Sequence, residues 1–213
     1  MLVTVPPRTP GATIERFVAE HRGWIEGTVA RQQRAVSGLG LRRAGVVWRL
    51  GRPVPLLRIP GTRPLAELRD SGGGLVLAVR GHAERAIECW YRDEARRVAG
   101  ELARFESRRL GVTVERLRIG DQRSRWGSAS ARGTISLNWR LLLAPADAID
   151  YVVVHELCHL RELNHSTRFW ELVAAARPGY EAQKRWLDRH GPELRAWRPA
   201  DALGLAEAPL SPD

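Results

Sequence analysis

The stretch HELCHLRELNH, running from His155 to His165, decides how this chain is read. Residues four apart on an α-helix share one face. His155 and His159 can therefore grip one ion from the same side. Glu156 lies about 100° further round the helix. That position is poor for ligation beside the two histidines and good for holding a water at an open coordination site. Three protein ligands and one water make up a catalytic zinc site, and HExxH is its helical signature. In such a site the ion acidifies the water and polarises a carbonyl, while Glu156 takes and returns the proton. Three of the six histidines of the chain fall in this window.

For His165 to complete the site the helix must end near Leu163. Asn164 suits that stop, because Asn tolerates the left-handed conformation that closes helices. Ser166 then caps a second helix whose Phe169, Trp170 and Val173 face inward. Glu162 and Glu171 stay open as alternative third ligands. An isolated HExxH on a surface helix would mean nothing. Here Ile149, Tyr151, Val152, Val153 and Val154 precede it, and Leu157 and Leu160 follow. Three histidines and a glutamate on a buried helix are costly unless something binds them.

Composition sets the wider frame. A chain of 213 residues supports one domain with a small appendage, and 44% apolar residues permit a real core. Eight tryptophans are a heavy load and should be buried or line a groove. The net charge of +10 points to nucleic acid, yet Lys184 is the sole lysine among 34 cations. Arginine scattered in this way fits a GC-rich coding bias equally well, so nucleic-acid contact stays open. Cys89 and Cys158 form no disulfide framework and read as small apolar core residues. No leader pattern opens the chain, and no apolar run is long enough to span a bilayer. The expectation is a soluble, cytoplasmic protein with no membrane partner.

Along the chain, 1–10 is strand-like before its prolines, and 12–36 has helical spacing that includes His21. Val46–Leu50 and Val54–Ile59 read as a hairpin, and Leu75–Val79 as a further strand. Residues 83–108 form a long helix with Ile87, Trp90, Tyr91, Ala95, Val98, Leu102 and Phe105 on its apolar stripe, and His82 near its cap. Val112–Ile119 alternates as a strand, 121–132 is a polar loop, and Thr134–Leu141 is a strand proposed as a sheet edge that could pair with an extended peptide. Asp147 acts as cap or first-turn acid of the metal helix. Helices follow at 166–176 and 180–190. The fold class is α+β, with an N-terminal helix and small β region over 1–80, a core bearing the metal helix over 81–197 and a flexible tail over 198–213.

Three segments carry a resemblance: RWGSASARGTISLNWRLLLAP (125–145), YVVVHELCHLRELNHSTRFW (151–170) and WYRDEA (90–95). Together they resemble the YgjP-like metallopeptidases, relatives of the SprT-like and Wss1-type zincins. The resemblance implies a minimal zincin fold holding Zn2+, with His155, His159 and His165 as metal ligands and Glu156 as catalytic base. It also implies that Arg125-Trp126-Gly127-Ser128 lies close to the site. The family usually shows a cysteine where this chain has Ala129, which argues against an essential thiol there. A metzincin would place glycine where Glu162 stands.

The leading expectation is a zinc-dependent peptidase acting on protein or peptide substrates. One rival is a metal-dependent RNA hydrolase of YbeY type, which shares the histidine spacing but resembles a glycine at position 156. Another is a DNA-associated protease of SprT or Wss1 type, and a last one is a structural metal module. Tyr180, His190, Arg125 and Arg161 are oxyanion candidates by residue type.

Overall fold

The computed structural model describes residues 38–60, 67–70, 74–79 and 81–205, with isolated positions 10, 12, 16, 19, 20 and 23. The expected strand over 1–10 and helix over 12–36, with His21, otherwise lie outside the described residues.

The elements run β1 (Val46–Arg49), β2 (Arg52–Pro60), β3 (Glu67–Asp70), β4 (Leu75–Val79), α1 (Ala83–Leu110), β5 (Arg116–Gly120), β6 (Gly127–Ala129) and β7 (Thr134–Asn138). A 3₁₀ turn (Trp139–Leu143) then leads into α2 (Ala146–Cys158), α3 (Thr167–Ala176), α4 (Tyr180–Ala196) and α5 (Pro199–Leu203). The fold class is α+β, as expected. The first sheet has the order β1-β2-β4-β3, with the hairpin β1/β2 antiparallel and β2/β4 parallel. The second has the order β5-β7-β6, with β5/β7 parallel and β6/β7 antiparallel.

That second sheet corrects one expectation. Thr134–Leu141 was to be an edge, but β7 is the central strand and β5 and β6 are the edges. The strand also stops earlier. The Asn138 side chain accepts the Arg140 N–H at 2.9 Å and starts the 3₁₀ turn. β6 lies inside the expected polar loop 121–132, and β3 was not anticipated. β6 is three residues long and β3 reads ELRD, so neither shows an apolar alternation.

The long helix α1 is tied to the first sheet by Tyr91. The Trp48 N–H donates to the Tyr91 hydroxyl at 2.9 Å, and that hydroxyl donates back to the Trp48 carbonyl at 2.8 Å. Tyr91 also packs against the fully buried Trp139 and Trp197. One member of the expected stripe behaves otherwise, since Phe105 is 61% exposed, and Cys89, expected in the core, is exposed. The core covers only part of this 28-residue helix. His82 sits at the N-cap but makes no side-chain capping bond.

Glu94 joins α1 to β1, accepting from Arg97 at 2.7 and 2.8 Å and from Arg49 at 2.5 Å. Those bonds, led by the one from Arg97, hold its carboxyl below its usual range. A lowered folded pKa gives stability that is present above the unfolded value and lost as pH falls through the folded one. Glu94→Gln is therefore expected to cost about 0.5–1 kcal/mol near neutrality. The cost should vanish toward pH 3, as read by urea midpoints along a pH series.

The C-terminal part also departs from expectation. Residues 199–203, read as the start of a loose tail, form α5, with Ala202 and Leu203 buried. Glu193 on α4 is buried and accepts the backbone N–H groups of Leu39 at 2.8 and 3.0 Å and of Leu41 at 3.4 Å. Ser166 caps α3 as expected, its hydroxyl accepting the Phe169 N–H at 3.3 Å. Ser166→Ala should lower stability by about 1 kcal/mol in a chemical melt.

Candidate metal centre

The helix α2 follows Pro145, carries Asp147 in its first turn and buries Ile149, Val152, Val153, Val154 and Leu157. This apolar jacket fixes its rotation, so His155 and Glu156 turn toward one cavity. The helix ends sooner than the sequence reading requires. Regular α-structure stops at Cys158, and the chain tightens through Leu160 N–H to Leu157 C=O and Arg161 N–H to Cys158 C=O, each at 3.0 Å. Asn164 does not take the left-handed conformation, since Leu50 is the one non-glycine with positive φ among the described residues. Its side chain instead accepts the Ser166 N–H at 3.2 Å, which turns the chain into α3.

This path brings the three histidines together. Their ligand nitrogens lie within 4.8 Å of one another, and the Nε2 atoms of His155 and His165 are 3.2 Å apart. Two nitrogens on a tetrahedral zinc are separated by about 3.4 Å, given bond lengths near 2.05 Å. The donor set therefore fits such an ion with small ring rotations. Phe169, fully buried, lies 4.3 to 4.9 Å from all three rings, and Trp170 stacks on His165 at 5.5 Å. These aromatic contacts hold the rings in place.

Protonation suits ligation. His159 Nδ1 is 3.0 Å from the Glu162 carbonyl, which can only accept, so the proton sits on Nδ1 and the Nε2 lone pair is free. Burial pushes the His155 pKa down to about 3, with help from the neighbouring His159 and His165. Burial also lowers His159. Of the alternative third ligands, Glu162 pairs with Arg168 at 2.9 Å, and neither it nor Glu171 joins the cluster.

Glu156 is 5% exposed, and burial lifts its carboxyl to about 8, partly offset by the charge of Arg125. It lies against β6. A Cβ at Gly127 would fall 2.5 Å from Glu156 Oε1, so only glycine admits the carboxylate there. The segment before β6 is held by Asn138, which donates to the Gln122 carbonyl at 2.7 Å and, through its backbone N–H, to the Trp126 carbonyl at 2.8 Å. Arg195 of α4 stacks over Trp126 at 4.1 Å.

An open cavity of about 670 Å³ spans the site, with Trp126, Tyr151, Leu163 and Leu187 as apolar walls beside the histidines and Glu156. Of the four oxyanion candidates, Arg125 alone lines it. Tyr180 is stacked between Tyr151 and Trp170, His190 packs on Trp186, and Arg161 bonds the Leu110 carbonyl. The roles of Gly127 and Asn138 were not read from the sequence. No periodicity marks them, and the only signal was the resemblance that placed 125–128 near the site.

A family model described as "YgjP-like, metallopeptidase domain" matches residues 1–190. The chain belongs to the YgjP-like metallopeptidase family. It is thus a metal-dependent peptidase, a hydrolase that acts on proteins or peptides. A solved structure, the metallopeptidase zymogen abylysin of Pyrococcus abyssi, is 26% identical, with a TM-score of 0.39. The match covers 42% of this chain and 92% of that one. No curated protein matches the chain significantly. Among the described residues of this metallopeptidase, no helix is long and apolar enough to cross a membrane.

Proposed function

We propose that this metallopeptidase is a zinc enzyme in which His155, His159 and His165 hold the ion and Glu156 is the general base. The observation that carries the reading is the meeting of three imidazole nitrogens and one buried carboxyl on a single open cavity. Zinc bound there would polarise a scissile carbonyl and acidify a water. The residues of the chain do the remainder. The imidazoles present neutral lone pairs. The Glu156 carboxylate accepts a proton from the attacking water and passes it to the leaving amine. Phe169 and Trp170 keep the ligand rings from rotating, and the apolar walls hold a peptide while excluding bulk water.

Glu156 weighs against an RNA hydrolase of YbeY type, in which glycine is expected at that place. The open cavity weighs against a purely structural ion. Two unpaired cysteines, one of them exposed, fit a reducing compartment, and we place the protein in the cytoplasm.

Glu156→Gln is expected to keep stoichiometric zinc and lose about 10²- to 10⁴-fold in kcat on a peptide substrate. Metal analysis and hydrolysis of the same preparations check this. Full activity in the variant, or a purified protein that takes up no zinc, overturns the reading.

A further inference from the structure

The second sheet has two faces. Gly127, Ala129, Ile135, Leu137, Leu117 and Ile119 occupy matching register positions, and Ile135 and Leu137 are buried. The alternate positions pair Arg116 with Thr134, and Arg118 with Ser136 and Ser128. Side chains at matched positions point the same way. The outer face therefore carries exposed Arg116 and Arg118 over a floor of small hydroxyl residues. That floor ends at Ser128, which lines the cavity above the histidines.

Charge concentrates here. Residues 115–136 contain five arginines (Arg116, Arg118, Arg123, Arg125 and Arg132) and two acids, Glu115 and Asp121. Asp121 is already engaged by Arg140. All five arginines are exposed, and among the described residues none has an ion-pair partner. On α1, by contrast, Arg92, Arg96, Arg97 and Arg109 each face a carboxylate within 3.1 Å. Arg125 lines the cavity itself. Of this polar set, Arg125 and Ser128 reach the cavity, while Arg116 and Arg118 stand on the outer face of the same sheet.

We propose that this face receives acidic polypeptide segments, so that the enzyme selects substrates with Asp or Glu flanking the cleaved bond. The inference rests on the peptidase reading above and names its substrate class. Arg125 is placed for a short-range contact, because a guanidinium fork matches a carboxylate. Arg116, Arg118, Arg123 and Arg132 steer the chain in at longer range. A nucleic-acid strand fits less well. Its bases need aromatic platforms, whereas the outer face offers serine and threonine, and the rings of Trp126, Tyr151 and Trp170 line the reaction cavity instead, with Trp126 stacked under Arg195.

The test uses three peptides with one common core, flanked on both sides by Glu, Gln or Lys. Cleavage by the zinc-loaded full chain and binding to the Glu156→Gln full chain are measured from about 50 mM to about 500 mM salt. The expected result is a kcat/KM about tenfold higher for the Glu-flanked than the Gln-flanked peptide at low salt, carried by KM and lost at high salt. The R116Q/R118Q/R125Q variant should bring that ratio close to one. Arg96→Gln, on the far helix and paired with Asp93, should leave it unchanged. Acid-selective, salt-sensitive binding without cleavage of any peptide would sustain this proposal while sinking the peptidase reading. Equal binding of all three peptides overturns the proposal and leaves the peptidase reading intact. So does a single-stranded oligonucleotide that binds this face while peptide charge changes nothing.

Discussion

Replacing Arg177 with alanine is expected to destabilise the protein by about 3–5 kcal/mol. Arg177 ends α3, and its guanidinium bonds both carboxylate oxygens of Asp150 on α2 and, at 2.6 Å, Glu106 on α1. One planar group thus ties three helices, including the one that bears the histidines. Glu106 is 1% exposed. Without Arg177 its one remaining ion-pair partner among the described residues is Arg109, 3.1 Å away and about half exposed. A buried carboxylate stripped of its main partner carries its desolvation cost uncompensated. Urea unfolding should show a lower midpoint with an unchanged slope. The pair Arg177→Met with Glu106→Leu should recover much of the loss, because the penalty belongs to the orphaned charge and not to the missing attraction. A single variant as stable as the parent would show that α1, α2 and α3 hold together without this bridge.

Adding one methyl group at Gly127 is expected to lower kcat by about 10²-fold while zinc content stays the same. The new carbon would lie 2.5, 2.7 and 2.8 Å from Oε1, Cγ and Cδ of Glu156. No real Cβ tolerates such contacts, so the carboxylate or the strand must move. The strand is pinned on its other side, with Gly127 opposite Leu137 and the Trp126 carbonyl held by Asn138. The carboxylate therefore gives way. The histidines lie on other backbone segments and keep their mutual spacing. Because Gly127→Ala and Glu156→Gln would then damage the same step, the double variant should be no slower than Glu156→Gln alone. Additive losses in that cycle would mean that Gly127 matters through something other than the base.

Much of the site could be read directly because its chemistry is local. His155, Glu156 and His159 are one helical turn, and their relative bearing follows from 3.6 residues per turn. The Ser166 cap is a contact between neighbours in sequence and was equally legible. Reading failed where two local closures compete or where the deciding contact comes from far along the chain. Asn164 could have closed the helix by a left-handed turn, but α2 had already ended at Cys158, where the Glu162 carbonyl meets His159 Nδ1. Phe105 fits the apolar stripe of α1 and Cys89 reads as a small core residue, yet exposure depends on which stretches of that helix other elements cover. Whether β7 is an edge or a centre depends on a three-residue strand too short to leave a pattern.

What the amino-acid order determined alone is one helical turn carrying two imidazoles and a carboxylate, with a third imidazole six residues beyond, together with the helices on either side. Tertiary structure decided the rest. It brought β6 against Glu156, chose Arg125 from four oxyanion candidates for the cavity wall, and left Arg116 and Arg118 exposed on the outer face of the second sheet. The physical reason is range: backbone geometry fixes bearings within a turn or two, whereas the packing of distant segments follows from burying apolar surface as a whole.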